Sequence, residues 1–354
     1  MPVIYGETKE NAMRRLVKKV HSSRRGVPAP NTVFRWHPAA EKPISNPAYT
    51  PDGMFEPDLV FAECGGDLVI VHRFKNPSKG WQQRSYLSWA LPMGYSLCWE
   101  TWDQDGGITS MNRKIILGPE GAQQSLPSIA ALDDRLMAVW LTKSSLHYSI
   151  CHDNSPSQQW STPSTINLPE YISNSLPVLA SCNMNGSALV FGLWKGVVPD
   201  RKVYLSSYDG HRWDSPRSLP FVETNVAPAL TVHSGKLIVM WKIFSGHKLY
   251  WMRFDMGGNP LNEEPYEVCW RGVTDLRPSL AQVEGTVYAA WRGTGLSADM
   301  WLSSWRGEEK RFEPAQLIPN SKASRAPILA SWGKLLMLAW RDEGQMLWRC
   351  GSAE

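Results

Sequence analysis

Five cationic side chains hold one recurring place in this sequence. Arg73, Lys195, Lys242, Arg292 and Arg341 each follow a bulky landmark residue, His72 in the first case and Trp194, Trp241, Trp291 and Trp340 in the others. Leu141, after Trp140, is the exception. Gathered around one mouth, such a ring would favour a carboxylate, phenolate or enolate oxygen, because guanidinium offers a planar fork of donors and ammonium a compact charge. Scattered on a rim with stems packed on tryptophan, each would be worth little. Arg73, Lys242, Arg292 and Arg341 are therefore candidate catalytic groups, with Lys195, Glu56 and Asp58 as candidate substrate contacts. Asp275 lies in a similar place, and all three carboxylates could instead cap loops or pair with Arg277. Trp81, Tyr86 and Trp89 join the candidates from the stretch Lys75 to Ser96, which also holds Met93 and Tyr95. That stretch is too aromatic for a solvated loop and is expected to close over the mouth as a lid. Packing on an outer wall is the alternative. The eight histidines lack metal-ligand spacing, and no phosphate-binding or nucleophile-elbow motif is present, so neither a metal nor a cofactor is expected.

The elements that must position these residues repeat. Prolines at 57, 127, 177, 228, 278 and 327 each open a short apolar stretch, a turn and an alternating run ending at the landmark. The spacing is near fifty residues except for the first interval, whose surplus is the aromatic stretch. In the fifth copy, Pro278 to Ala281, Thr286 to Trp291, Met300 to Trp305 and Phe312 to Leu317 read as four strands. Period-two patterning with turn residues at this spacing predicts an all-β propeller of six four-stranded blades. The sixth copy stops after its third strand, and Trp36 to Ile44 has the look of the missing fourth, so an N-terminal strand should close the ring.

Composition sets the bounds. The chain has 354 residues, 43% of them hydrophobic and 20% charged, with 18 tryptophans. Its six cysteines stand singly, without a CxxC pair, and are read as reduced thiols. With no apolar run of membrane length and no signal-peptide pattern, the expected location is cytoplasmic, with no membrane partner. The net charge of +4 resides in residues 1–25, where seven Lys/Arg face Glu7 and Glu10 to give +5, leaving −1 for residues 26–354. Such a body gives no electrostatic footprint for nucleic acid. The expected partner is a small-molecule substrate, and the oligomeric state is left open.

Residues 1–25 form a separate unit. Met13, Leu16, Val17 and Val20 share one helical face, which predicts a short amphipathic helix over Asn11 to Ser22. Tyr5-Gly6-Glu7, Lys9, Ala12 and Arg15-Leu16 resemble the closing segment of fungal heterokaryon-incompatibility (HET) domains, which implies a fungal source and a relic without HET activity. The domain division is thus 1–25 helix and 26–354 propeller.

The fifty-residue repeat resembles the six-bladed propellers of fungal fucose-type lectins and, more loosely, sialidases. A lectin with a sugar at each blade junction should repeat its polar residues. Here the pairs after the landmark are Arg-Phe, Leu-Thr, Lys-Gly, Lys-Ile, Arg-Gly and Arg-Asp. The divergence favours a single central site. A sialidase needs an arginine clamp, which Arg73, Arg292 and Arg341 could supply, but its Tyr–Glu pair is not evident, and its Asp-box is only echoed at Ser207-x-Asp209-Gly210-x-x-Trp213. The preferred expectation is a single-pocket propeller acting by proximity and hydrogen bonding. It is similar in that respect to the cofactor-free hetero-Diels–Alder cyclases of fungal secondary metabolism, which join a tropolone quinone methide to a sesquiterpene. A carbohydrate-binding lectin is the alternative, and a sialidase-like glycosidase the third.

Overall fold

The computed structural model describes residues 34–36, 42–43, 59–64, 67–75, 95–102, 108–112, 128–141, 145–151 and 160–166, and 177–353 apart from 185, 198, 270, 296–297, 308–309 and 343–344. Blade one comprises β3 (Leu59–Cys64), β4 (Asp67–Lys75), β5 (Tyr95–Trp102) and β6 (Ile108–Asn112). Blade two comprises β7 (Ser128–Leu132), β8 (Arg135–Leu141), β9 (Leu146–Cys151) and β10 (Ser164–Ile166). Blade three follows with β11 (Val178–Met184), β12 (Ser187–Lys195), β13 (Lys202–Tyr208) and β14 (Arg217–Glu223). Blade four holds β15 (Ala229–His233), β16 (Lys236–Lys242), β17 (Leu249–Phe254) and β18 (Tyr266–Glu267). Blade five holds β19 (Ser279–Val283), β20 (Thr286–Arg292), β21 (Asp299–Trp305) and β22 (Gln316–Lys322). The closing sheet joins β23 (Ile328–Trp332), β24 (Leu335–Asp342) and β25 (Gln345–Ala353) to β1 (Phe34–Trp36) and β2 (Lys42–Pro43).

Every pairing within these sheets is antiparallel, and the first strands are neighbours in sequence order, with β23 returning to β3. This is an all-β propeller. The expectation of six like blades is corrected in one respect: five blades are self-contained four-stranded sheets, and the closing sheet is a five-stranded composite of the two ends of the described chain. Phe34 pairs with Ala353 and Trp36 with Gly351, while Lys42 pairs with Trp348 and Pro43 with Leu347. The edge expected from one strand over Trp36 to Ile44 is thus covered by two shorter ones. The helix expected at Asn11 to Ser22 lies outside the described residues.

Local chemistry explains the hairpins. Between β19 and β20 only Glu284 and Gly285 turn the chain, both at positive φ (45° and 76°), and Ser234 and Gly235 (48° and 67°) do the same between β15 and β16. Two consecutive left-handed residues match the twist of a two-residue hairpin. The fourth strands break register: Phe221 and Asn320 take positive φ (66° and 51°) directly after Pro220 and Pro319. Proline and a bulge suit an outer edge, where they discourage pairing with other chains.

The core lies between blades. Trp140, Trp194, Trp241, Trp291 and Trp340 are all buried. Trp241 packs with Phe191, Leu193 and Leu205 of blade three, and Trp291 with Ile238, Met240 and Trp251 of blade four. Phe312 was expected to open the fourth strand of blade five. It instead packs edge-on against Trp251, with ring planes at 87°, and β22 begins only at Gln316.

Candidate functional site

The second strands end on one face of the propeller and begin on the other, and the two faces differ. At the ends stand the basic residues picked out in the sequence. Lys195, Lys242 and Arg341 are almost wholly buried, only 4–5% exposed, rather than presented on a rim. Lys195 Nζ donates to Gly196 O at 3.0 Å. Lys242 Nζ donates to Asn225 Oδ1 at 2.9 Å and to Ile243 O at 3.2 Å. Burial holds both ammonium groups below the ordinary lysine range, with Asp200 and Asp275 respectively opposing the shift. Arg292 directs Nε to Ala323 O at 2.6 Å, Nη1 to Gly293 O at 3.2 Å and Nη2 to Gly295 O at 3.1 Å.

These contacts tether links and loops to the ends of the strands. The partners are carbonyls of residues that leave the ladder, whose acceptors would otherwise be left unmade. Asp275 belongs to the same framework. It accepts from Gly295 N at 2.8 Å and pairs with His247 Nδ1 at 2.5 Å, so it bridges loops of blades four and five rather than meeting Arg277. The amide bond from Gly295, ahead of the His247 contact, keeps its carboxyl below the usual range.

An axial cavity of about 100 Å³ opens among the first strands, lined by Ser128, Ile129, Leu179, Leu230, Arg277 and Leu280 among others. Hydroxyls knit the first strands across it: Ser128 Oγ donates to Pro177 O, and Leu329 N donates to Ser279 Oγ at 2.9 Å. Ligand clefts usually offer roughly 300–1,000 Å³, and this cavity is smaller than that range. Trp81, Tyr86, Trp89, Glu56 and Asp58 lie outside the described residues. Arg73 lies on β4, paired with Leu97, with only its backbone described. The ends of the aromatic stretch are placed, since Lys75 of β4 pairs with Tyr95 of β5, between the second and third strands as expected.

The larger opening is on the other face. A pocket of about 440 Å³ separates blade five from the closing sheet. It is lined by Glu284, Gly285, Thr286 and Tyr288 at the start of β20, Arg306 after β21, Lys334 and Leu336 at the β23–β24 turn, and Gly351 and Ser352 of β25. Thr286 and Tyr288 are buried, 7% and 3% exposed, whereas Glu284, Arg306 and Lys334 stand at the rim. Lys334 Nζ lies 3.3 Å from Glu284 Oε1, an ion pair across the two sheets. Burial pushes the Tyr288 phenol up, so it stays a neutral hydroxyl donor, although Arg306 acts in the opposite direction.

None of these residues was singled out in the sequence, yet a signal was there. Three residues before the landmark, the other copies carry Val69, Met137, Phe191, Ile238 and Met337, whereas blade five carries Tyr288. Directly after the third strand, Asp209 and Asp255 in blades three and four give way to Arg306. The polar set therefore belongs to one junction. The Asp-box echo of blade three is a turn: Asp209 Oδ1 accepts from His211 N at 2.9 Å and Arg212 N at 2.8 Å. Among the described residues no group of His, Cys, Asp and Glu could hold a metal ion, and no helix is long and apolar enough to cross a membrane.

No protein-family model matches the chain, and no curated protein matches it in sequence. Solved structures do share its fold. A Dyadobacter fermentans protein of unknown function superposes at a TM-score of 0.60, with 11% identity over 91% of this chain and 99% of that one. The Aleuria aurantia lectin in complex with α-methyl-L-fucoside gives 0.54, with 11% identity over 84% and 93%. The Trypanosoma rangeli sialidase in complex with 2,3-difluorosialic acid gives 0.53, with 11% identity over 92% of this chain and 59% of the other. At such identities the likeness is one of fold, and the chain is a β-propeller similar in architecture to lectins and sialidases.

Proposed function

We propose that this propeller binds one small oxygen-rich molecule of the sugar class, in the pocket between blade five and the closing sheet. The observation that carries the reading is Tyr288, a buried phenol facing a 440 Å³ pocket at a place where every other copy is apolar. A hydroxyl donor, a threonine, a carboxylate and two cations around one concavity can satisfy a polyhydroxylated ligand that offers donors and acceptors on several sides. A lectin in complex with a fucoside, sharing the fold, supports the ligand class. Because the polar set is not repeated, one site per chain is expected rather than a site at each junction. A glycan array followed by calorimetry tests this: binding that is weakened by Tyr288→Phe in a variant that still unfolds cooperatively supports it, and binding untouched by that change counts against it.

A second reading keeps the mouth and makes the protein a cofactor-free cyclase of the hetero-Diels–Alder type. Its support is the pair of buried ammonium groups, Lys195 and Lys242, at the ends of neighbouring blades, where donors could stabilise charge developing on an oxygenated partner. Their engagement with backbone carbonyls makes it the weaker reading. An arginine clamp of the sialidase kind would need the guanidinium of Arg292, which three carbonyls already occupy.

A further inference from the structure

Charge sets apart the inter-blade pocket from a site built for neutral sugars. Of its lining residues, Arg306 and Lys334 are cations and Glu284 is the one carboxylate, a balance of +1. Glu284 is already turned toward Lys334, at 3.3 Å, with both side chains largely exposed at 58% and 85%. So exposed a pair holds its partners weakly, and an incoming anion can compete for the ammonium. Arg306, on the blade-five side, and the buried Tyr288 phenol line the same pocket. Thr286 is buried beside them and hydrogen-bonds the Tyr288 side chain. A guanidinium, a phenol and a displaceable ammonium form a donor set that a carboxylate satisfies better than a hydroxyl does, since bonds from a cationic donor to an anion are the stronger kind.

We propose that this site, granted the sugar-class reading above, selects a sugar bearing a carboxylate over its neutral counterpart. The carboxylate lies against Arg306 and the Tyr288 hydroxyl, with Lys334 drawn from Glu284 to share it. The Glu284 carboxylate then sets the limit on affinity through like-charge repulsion. Two substitutions should therefore act in opposite directions, which a purely structural role for either residue would not produce.

The test is calorimetric titration of the full chain with D-glucuronate, D-glucose and L-fucose at low ionic strength. Glucuronate differs from glucose by the carboxylate alone and should bind about tenfold more tightly, the gain expected of a charge-assisted hydrogen bond. Arg306→Gln should bring that ratio to within about twofold, Glu284→Gln should raise glucuronate affinity severalfold, and added salt should erode the preference. Both residues are exposed, and unchanged melting curves would certify the fold of the variants. Equal affinity for glucuronate and the neutral sugars, or a preference that survives Arg306→Gln, overturns the inference while leaving sugar binding intact. Silence from all three sugars defeats the sugar-class reading and this inference with it.

Discussion

Removing residues 1–45 takes β1 and β2 from the closing sheet and leaves β25, nine residues long, as an open edge. Five cross-strand pairs disappear: three between β1 and β25 and two between β2 and β25. Taking one hydrogen bond per pair at roughly 0.5–1.5 kcal/mol net, with Pro43 offering no N–H, the loss is about 2–6 kcal/mol. A domain whose whole stability is about 5–15 kcal/mol would lose much of it, and the bare edge would invite association. Removal of residues 1–25 spares both strands and should behave like the full chain. Urea unfolding and size-exclusion chromatography of the two truncations, run beside the full chain, provide the assay. A longer truncation that stays monodisperse and unfolds at the same urea concentration would refute the closure argument.

Other perturbations probe the framework. Phe221, 58% exposed, occupies a left-handed position that Asn320 fills in blade five, so Phe221→Asn should stabilise the fold by about 1 kcal/mol, seen as a higher Tm. Gly192 lies under the Trp213 ring, where a new Cβ would come within 3.1 Å of it, and Gly192→Ala should lower the urea midpoint by the equivalent of about 1–3 kcal/mol. Lys242→Met strands Asn225 Oδ1 and Ile243 O and should cost about 1–3 kcal/mol. That cost should grow with pH. The folded-state pKa of Lys242 lies below the ordinary 10.5, so between the two values the unfolded chain holds a proton the native chain has shed, and the native state gains stability as pH rises. Denaturation curves of both proteins from neutral to alkaline pH check the sign, and a gap that shrinks with pH would contradict it.

Landmarks with a fixed side-chain role were readable from sequence. The tryptophans near the ends of the second strands recur because each is buried in the core between blades, and the hairpins followed from turn chemistry. The fourth strands slipped. Phe312 has the hydrophobicity of a strand residue but works as a plug against Trp251 and Trp305, and the strand proper starts after it. Of the basic residues, Lys195, Lys242 and Arg292 donate to backbone carbonyls of irregular links, contacts that leave no trace in residue type. The pocket was missed for a third reason. Its signal is a departure at one junction, and the repeat drew attention to what recurs.

A single sugar site between blade five and the closing sheet can be tested by calorimetric titration of the wild-type chain and Tyr288→Phe with the tightest-binding monosaccharide from a glycan array. Close to one site per chain is expected, with a loss of about three- to tenfold in affinity when the single hydroxyl is removed and cooperative unfolding retained. Several equivalent sites per chain, or an affinity indifferent to Tyr288, would contradict it.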